Sequence, residues 1–355
     1  MKIVTILGAR PQFVKAAVVS REILKNAGIR EVIIHTGQHY DKNMSDIFFE
    51  EMEIPSPDYN LNINGLSHGA MTGEMLKGIE SILLSEKPDY VMVYGDTNST
   101  IAGALAAKKI HIKVAHVEAG LRSFNIRMPE EVNRILTDRI SDKLYCPTQT
   151  AVDNLLREGY AALDGQIHKT GDVMLDAALF YSRKAKEKSA IIDTLGLDKF
   201  ILCTIHRAEN TDDLDRLRSI VNAINEIAGS IRVVVPIHPR TRNILAKHDI
   251  SVNFDMIDPV GYFDMLNLIT HCSLVMTDSG GLQKEAFYFK KNCVTLRDET
   301  EWVELIDNGF AVCVGSDTCK ILEAYHGLLH KDNDFSLDLY GKGDASEKIV
   351  AGLFN

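Results

Sequence analysis

The sequence predicts an α/β protein made of two doubly wound parallel-sheet domains, and three observations carry that prediction. Short apolar, β-branched runs alternate with helix-forming stretches along the chain, which is the βαβ signature. The alternation starts a second time after a largely helical, charged stretch around 170–198, so two sheets follow one another in sequence. The chain has 355 residues, 45% hydrophobic and 25% charged, enough to bury two cores of ordinary size.

The strands of the first half are expected at KIVTILG (2–8), EVIIHTG (31–37), YVMVYGD (90–96), KVAHVEAG (113–120) and KLYCPT (143–148), with helices such as PQFVKAAVVSREILKNA (11–27) between them. Those of the second half are expected at FILCTIHRAEN (200–210), RVVVPIHP (232–239), NFDMIDPV (253–260), LVMTDSGG (274–281), CVTLRD (293–298) and AVCVG (311–315). The expected division is a first domain over 1–170 and a second over 171–343. GKGDAS (341–346) is a turn before the last helix, and the segment 344–355 is expected to pack back on the first domain. Ligands of such sheets bind beyond the carboxyl ends of the strands, which puts the expected site in a cleft that the two domains face.

A formal charge of −10 with scattered basic residues gives no electrostatic footprint for nucleic acid or an acidic membrane, so neither partner is expected. The start, MKIVTILGARPQ, is too short an apolar run for a signal peptide, and no run approaches the roughly 20 apolar residues of a membrane span. The expected compartment is the cytoplasm. Cys146, Cys203, Cys272, Cys293, Cys313 and Cys319 are isolated, without CxxC, and are expected as buried thiols, neither disulfides nor metal ligands.

The most informative stretch is LVMTDSGGLQKEA, 274–286. It reads as a strand, a tight turn and a helix start. Ser279, Gly280 and Gly281 let backbone N–H groups approach a ligand, and the helix end adds positive dipole, which suits a phosphate or diphosphate. An ordinary helix cap by Ser or Asp uses the same residue types.

The other strand ends are also polar, and the halves differ. Arg10, Gln38, His39, Asp96 and Glu118 fall at ends in the first half, with Glu130, Glu131 and Arg134 close behind; His206, Arg207, His238, Arg240, Asp278-Ser279-Gly280-Gly281 and Arg297 fall at ends in the second. Carboxylates in one half and cations in the other suit a reaction in which one lobe moves protons while the other holds an anion. Asp96 is read either as a helix cap or as an active carboxylate. Glu118, directly after an apolar strand, needs a reason to be there. Glu130 and Arg134 are one turn apart and spaced to pair. His206 and His238 are candidates for phosphate contact or proton transfer.

Several motif classes are excluded. GARPQF lacks GxGxxG, so no dinucleotide cofactor is expected. His116 and Glu118 imitate the HxE of zinc deaminases without a following PCxxC, and His35 with His39 has no third ligand, so no metal is expected.

Across essentially the whole chain the sequence resembles the non-hydrolysing UDP-N-acetylglucosamine 2-epimerase family. The resemblance rests on GARPQ, TGQHY, YGDTNSTIAGALAA, HVEAGLRS, MPEEVNRILTD, HRAEN, HPRT, DPVGY, TDSGGLQKEA and RDETE, in the family's order. RSFN, HRAENTDD, DPVGY, QKEAF and TEWVEL resemble the branch acting on UDP-2,3-diacetamido-2,3-dideoxyglucuronate, with UDP-N-acetylglucosamine as the alternative substrate and a UDP-sugar glycosyltransferase as the rival class.

The resemblance implies a glycosyltransferase-B-like pair of Rossmann-like domains. It implies inversion at sugar C2 by loss of UDP to a 2-acetamidoglucal and its re-addition, for surface polysaccharide biosynthesis. Asp96, Glu118 and Glu130, with Arg134 beside them, match the catalytic set, and His206 matches the active-site histidine. Arg10, Lys15, His206, Ser279, Gly280 and Gly281 match diphosphate-binding positions, Glu285 the ribose-binding carboxylate, and His238 and Arg297 join the UDP-binding set. The expected partners are a UDP-sugar and UDP, without cofactor or metal, in a homodimer. A second UDP-sugar bound as activator, through a region that includes Gln38 and His39, is left open. Two departures stand out: Gln12 replaces a family Glu in the first turn, and Trp302-Val303 replaces Arg-Pro. Both are expected near the sugar pocket.

Overall fold

The computed structural model describes residues 1–38 and 54–354, with the backbone alone for Arg10. The chain divides into two compact units: Met1–Ala177 with the C-terminal segment from Asp338, and Ala178–Leu337.

In the first unit the strands are β1 (Lys2–Leu7), β2 (Arg30–His35), β3 (Tyr59–Asn60), β4 (Tyr90–Tyr94), β5 (Lys113–Val117), β6 (Lys143–Cys146) and β7 (Gln166–Lys169). They form one parallel sheet in the order β3-β2-β1-β4-β5-β6-β7. The helices are α1 (Arg10–Leu24), α2 (His68–Glu86), α3 (Asn98–Lys109), α4 (Pro129–Ile140), α5 (Gln149–Arg157) and α6 (Val173–Lys188). β4 is buried along its whole length, as a strand covered on both faces must be. On one face Val4, Ile6, Val32, Ile34, Val91, Val93 and Val114 pack against Met75, Ile79 and Leu83 of α2 and the alanines of α3. Small residues bring α3 very close: a Cβ at Gly103 would lie 2.9 Å from Ile6.

The second unit contains α7 (Ile191–Leu195), β8 (Phe200–Thr204), α8 (Ala208–Thr211), α9 (Leu214–Ala228), β9 (Arg232–Pro236), α10 (Pro239–Lys247), β10 (Asp255–Ile257), α11 (Tyr262–His271), β11 (Leu274–Thr277), α12 (Gly280–Tyr288), β12 (Cys293–Thr295), α13 (Val303–Asp307), β13 (Ala311–Cys313) and α14 (Thr318–Leu329). Its sheet is parallel in the order β10-β9-β8-β11-β12-β13. The last helix, α15 (Ala345–Gly352), belongs to the first unit and packs on α1.

Both sheets reverse direction of winding beside their first strand, between β1 and β4 and between β8 and β11. These are topological switch points, where a doubly wound sheet leaves a crevice outside its strand ends.

Three findings differ from the sequence reading. β3 and β7 were not foreseen: they are edge strands of two and four residues, and the Gln166-Ile167-His168-Lys169 pattern lacks a buried apolar run. The unit boundary falls inside α6 rather than before it, because the Asp176 carboxylate accepts the Ala345 and Ser346 amides (3.2 and 2.7 Å) and the Ser346 hydroxyl (2.7 Å), tying the first turn of α6 to the start of α15. The six thiols are also not uniformly buried. Cys319 is exposed, on the first turn of α14, and Cys313 is partly exposed at the end of edge strand β13; the other four are buried.

Candidate functional site

At the switch point of the first unit, the β1–α1 turn is closed by Gln12. Its Oε1 accepts the Gly8 and Ala9 amides (2.8 and 2.9 Å), and its Nε2 donates to the Tyr94 carbonyl and Thr100 Oγ1 (2.9 and 3.1 Å). Gln12 is 1% exposed, so it acts as an internal clip and leaves those two turn amides engaged. Arg10 is the first residue of α1. Lys15, further along α1, is buried and paired with Glu118.

Glu118 follows β5 with φ +74°, a left-handed conformation that is uncommon for a residue with a side chain. Its carboxylate is buried, and its amide donates to the Tyr145 carbonyl (3.1 Å). Gly95, after β4, has φ +61°, and a Cβ there would lie 3.3 Å from both Glu118 Oε2 and Lys15 Nζ, so the position requires glycine. Asp96 comes next. It does not cap α3, a task done by Thr97; its carboxylate instead binds Arg134 Nη2 at 2.5 Å and is partly exposed.

The expected pairing of Arg134 with Glu130 is not what the fold makes. Arg134 binds Glu131 (2.9 Å) as well as Asp96, while Glu130 is exposed on the first turn of α4. Glu131, 1% exposed, also accepts the Ser123 and Phe124 amides (2.9 and 3.0 Å) and the Ser123 hydroxyl (3.0 Å). Both glutamates lie within one turn of Arg134, and spacing alone does not choose between them. Gln38 accepts the Ser99 amide and hydroxyl (3.1 and 2.8 Å) at the start of α3; His39 lies outside the described residues.

At the switch point of the second unit, Asp278 is fully buried and gathers the β8 end to the β11 end. It accepts the His206 amide (3.0 Å), the Arg207 amide (3.0 Å) and the Asn210 side-chain amide (3.3 Å), and His206 Nδ1 lies 3.0 Å from it. Burial pushes its carboxyl up, but the His206 bond and charge and these N–H donors together hold it below the ordinary carboxylate value. The His206 ring is half exposed. Asp278 is one of the polar strand ends read from the sequence, without a role of its own; the structure makes it the acceptor that ties β8 to β11.

Ser279 is the N-cap of α12: its hydroxyl accepts the Leu282 amide (3.5 Å), its carbonyl accepts the Gln283 amide (3.3 Å), and its own amide donates to Thr277 Oγ1 (2.9 Å). Among the described residues no internal acceptor takes the N–H of Gly280 or Gly281. The two switch points are therefore unlike. Gln12 engages the turn amides of the first, while the second offers two helix N-terminal donors. Arg297, 2% exposed, binds Glu301 at 3.0 Å, and Glu301 Oε1 lies 2.6 Å from the place a Cβ on Gly280 would occupy.

Glu285 is buried on α12, and after burial itself its carboxylate is the main group pushing the Tyr262 phenol far up. His238 stands apart: it caps α10, its Nδ1 accepting the Arg240 amide (3.2 Å), and is exposed. Trp302 is 3% exposed with Lys284 Nζ 3.9 Å from its ring centre. Of the departures expected beside the sugar, Gln12 and Trp302 are thus buried side chains engaged within their own units, while Val303, the other half of the second, is exposed.

Two Rossmann-like units, one carrying carboxylates and the other two open helix N-terminal N–H donors at its switch point, place the chain in the α/β class of glycosyltransferase-B-like proteins. The UDP-N-acetylglucosamine 2-epimerase family model matches residues 21–353, and the chain belongs to that family. It is a UDP-sugar 2-epimerase, an isomerase. The chain is 55% identical to the UDP-2,3-diacetamido-2,3-dideoxy-D-glucuronate 2-epimerase of Pseudomonas aeruginosa, over 99% of each protein. It also resembles the solved Methanocaldococcus jannaschii UDP-GlcNAc 2-epimerase in complex with UDP-GlcNAc and UDP (44% identity, TM-score 0.91, 100% and 99% of the two chains). A third relative is the Neisseria meningitidis UDP-GlcNAc 2-epimerase bound to UDP-GlcNAc (32% identity, TM-score 0.88, 100% of each chain). Among the described residues no helix is long and apolar enough to cross a membrane.

Proposed function

We propose that this enzyme interconverts UDP-2,3-diacetamido-2,3-dideoxyglucuronate and its manno epimer, the product serving surface-polysaccharide assembly. The observation that carries the mechanism is the division of labour between the switch points. Carboxylates stand at the ends of β4 and β5, and the free Gly280 and Gly281 donors stand at the end of β11. The identity to the Pseudomonas aeruginosa enzyme supports the substrate.

In this reading a carboxylate of the Asp96, Glu118 and Glu130 set takes the C2 proton as the anomeric C–O bond breaks. The electron pair of the C2–H bond becomes the C1=C2 bond of a 2-acetamidoglucal, and UDP leaves with the pair of the broken bond. UDP then re-adds at C1 while a proton reaches C2 from the opposite face, so atoms and electrons balance without an oxidant or reductant. A C2 hydrogen is weakly acidic, and its removal needs a fixed base together with stabilised leaving-group charge. The left-handed backbone of Glu118 and its pairing with Lys15 support a held, functional carboxylate. The helix N-terminus at Ser279, Gly280 and Gly281, with His206 and Arg297, suits the diphosphate, and Glu285 suits the ribose hydroxyls; Arg10 joins this set by the family resemblance alone.

UDP-N-acetylglucosamine is the second reading, favoured by the relatives acting on or bound to that sugar nucleotide. Incubating the enzyme with each UDP-sugar in heavy water and following C2 by NMR decides both questions. Deuterium at C2 in retained UDP-sugar is expected, fastest with the diacetamido uronate. Turnover without C2 exchange would remove the mechanism, and faster exchange with UDP-N-acetylglucosamine would reverse the substrate assignment.

A further inference from the structure

β5 carries a second polar side chain two residues before Glu118. His116 is fully buried; its Nδ1 lies 2.7 Å from Asp138 Oδ1 and its Nε2 lies 2.7 Å from the Gly95 carbonyl. Both neighbours are acceptors, so the ring makes both bonds only when each nitrogen carries a proton. Asp138, buried on α4, uses Oδ2 to accept Arg122 Nη1 (2.7 Å) and the Gly120 amide (3.1 Å). Arg122 in turn grips Glu158 through Nε and Nη2 (2.7 and 2.8 Å). Burial would raise the Asp138 carboxyl, yet the bonds and charges of His116 and Arg122 hold it below its ordinary value, so it is an ionised acceptor.

The segments joined here are the ones that carry the acid set. Gly95 immediately precedes Asp96, Gly120 ends the turn after Glu118, and Asp138 sits one helical turn beyond Arg134 on α4. The turns themselves are not self-supporting, since Gly95, Glu118 and Gly120 all have positive φ (+61°, +74° and +81°). Such conformations persist where surrounding bonds over-determine them.

We propose that His116 is a positioning residue: bridging Asp138 and the Gly95 carbonyl as a doubly protonated ring, it sets the spacing of the Asp96 and Glu118 carboxylates. This rests on the reading of those carboxylates as the groups that move the C2 proton. His116 touches no substrate. It acts through the Gly95–Asp96 turn, and a displacement of about 1 Å there is enough to lower the rate about 10²-fold.

The test uses the full-length chain with His116→Gln. C2 deuterium exchange is expected to fall about 10²-fold, while UDP, read by the second unit, binds as in the wild type. Thr148→Ala, which removes the Ala151 amide's cap acceptor at the start of α5 (3.1 Å), is the control for lost stability in the same unit and should keep the wild-type rate. H116Q exchanging at the wild-type rate, or T148A losing rate in proportion to its lower Tm, overturns the proposal. A wild type that exchanges no deuterium overturns the functional reading instead. If H116Q does not fold, nitrogen NMR of the wild type decides: two protonated His116 nitrogens are expected, and one bare nitrogen overturns the proposal.

Discussion

Replacing Asp278 by alanine removes the acceptor that holds the end of β8 to the end of β11. Four groups lose it: the His206 amide, the Arg207 amide, the half-exposed His206 ring at 3.0 Å, and the Asn210 side chain, which keeps the Leu296 carbonyl at 2.9 Å. Each donor left unsatisfied costs about 1–3 kcal/mol, the low end applying beside the half-exposed His206 where water substitutes. The expected loss is about 3 kcal/mol, which for a unit of this size lowers Tm by roughly 6–12 °C. Asp278→Asn should cost about 1 kcal/mol, because the amide oxygen still accepts the backbone N–H groups while its NH2 turns to His206 Nδ1. The pH dependence has a definite sign. The folded carboxyl titrates below its unfolded value of about 3.9, so its stabilisation is fully present above that pH and is lost as pH falls through the folded value. The gap between wild type and D278N should therefore close on acidification below about pH 4. Urea unfolding across pH and UDP titration read both effects. D278A should bind UDP at least about 10-fold more weakly, since the Ser279-Gly280 turn loses its tie to His206. A D278A stability loss below about 1 kcal/mol, or a gap that widens in acid, would refute the reasoning.

Three further outcomes test other parts of the site. Glu118→Gln should suppress C2 exchange about 10²–10⁴-fold and leave UDP binding unchanged, and unimpaired exchange would take Glu118 out of the mechanism. Gly280→Ala should keep stability within about 1 kcal/mol, since Glu301 Oε1 at 2.6 Å is the tip of a side chain that moves aside, yet weaken UDP binding about 10-fold by setting a methyl group where the ligand approaches the backbone; an unchanged Kd would show that no ligand comes that close to Gly280. Trp302→Arg should cost about 3–5 kcal/mol by setting a cation against the buried Lys284, without converting the enzyme to UDP-N-acetylglucosamine. A stable W302R with reversed kcat/KM preference would return residue 302 to the sugar's surroundings.

The architecture was legible because parallel strands read as short apolar runs, and the eleven runs expected, from Lys2–Leu7 to Ala311–Cys313, are strands in the structure, buried but for the edges Asp255–Ile257 and Ala311–Cys313. The strands outside those runs, Tyr59–Asn60 and Gln166–Lys169, are short edges with little apolar surface to bury, and they leave no such mark. The strand-end position of Glu118 and the glycine turn after β11 were legible for the same reason, since a polar residue closing an apolar strand is conspicuous. The partners of these residues were not. Glu130 and Glu131 are equally spaced candidates for Arg134, and only the fold of the 123–124 segment onto α4 makes Glu131 the buried one.

The sequence by itself determined two doubly wound units, a polar set at their strand ends and membership of an epimerase family. These depend on periodicity and on local turn chemistry, which neighbouring residues encode. Only the tertiary structure decided that Gln12 engages the turn amides of the first switch point while Gly280 and Gly281 leave theirs open, that Trp302 lies buried on Lys284, and that His116 bridges Asp138 and Gly95. The Gln12 bonds to Gly8 and Ala9 span only three or four residues, but its donors go to Tyr94 and Thr100, and the His116 partners lie 21 and 22 positions away; such distant partners are set by how helices seat on the sheet, and no local pattern records that seating.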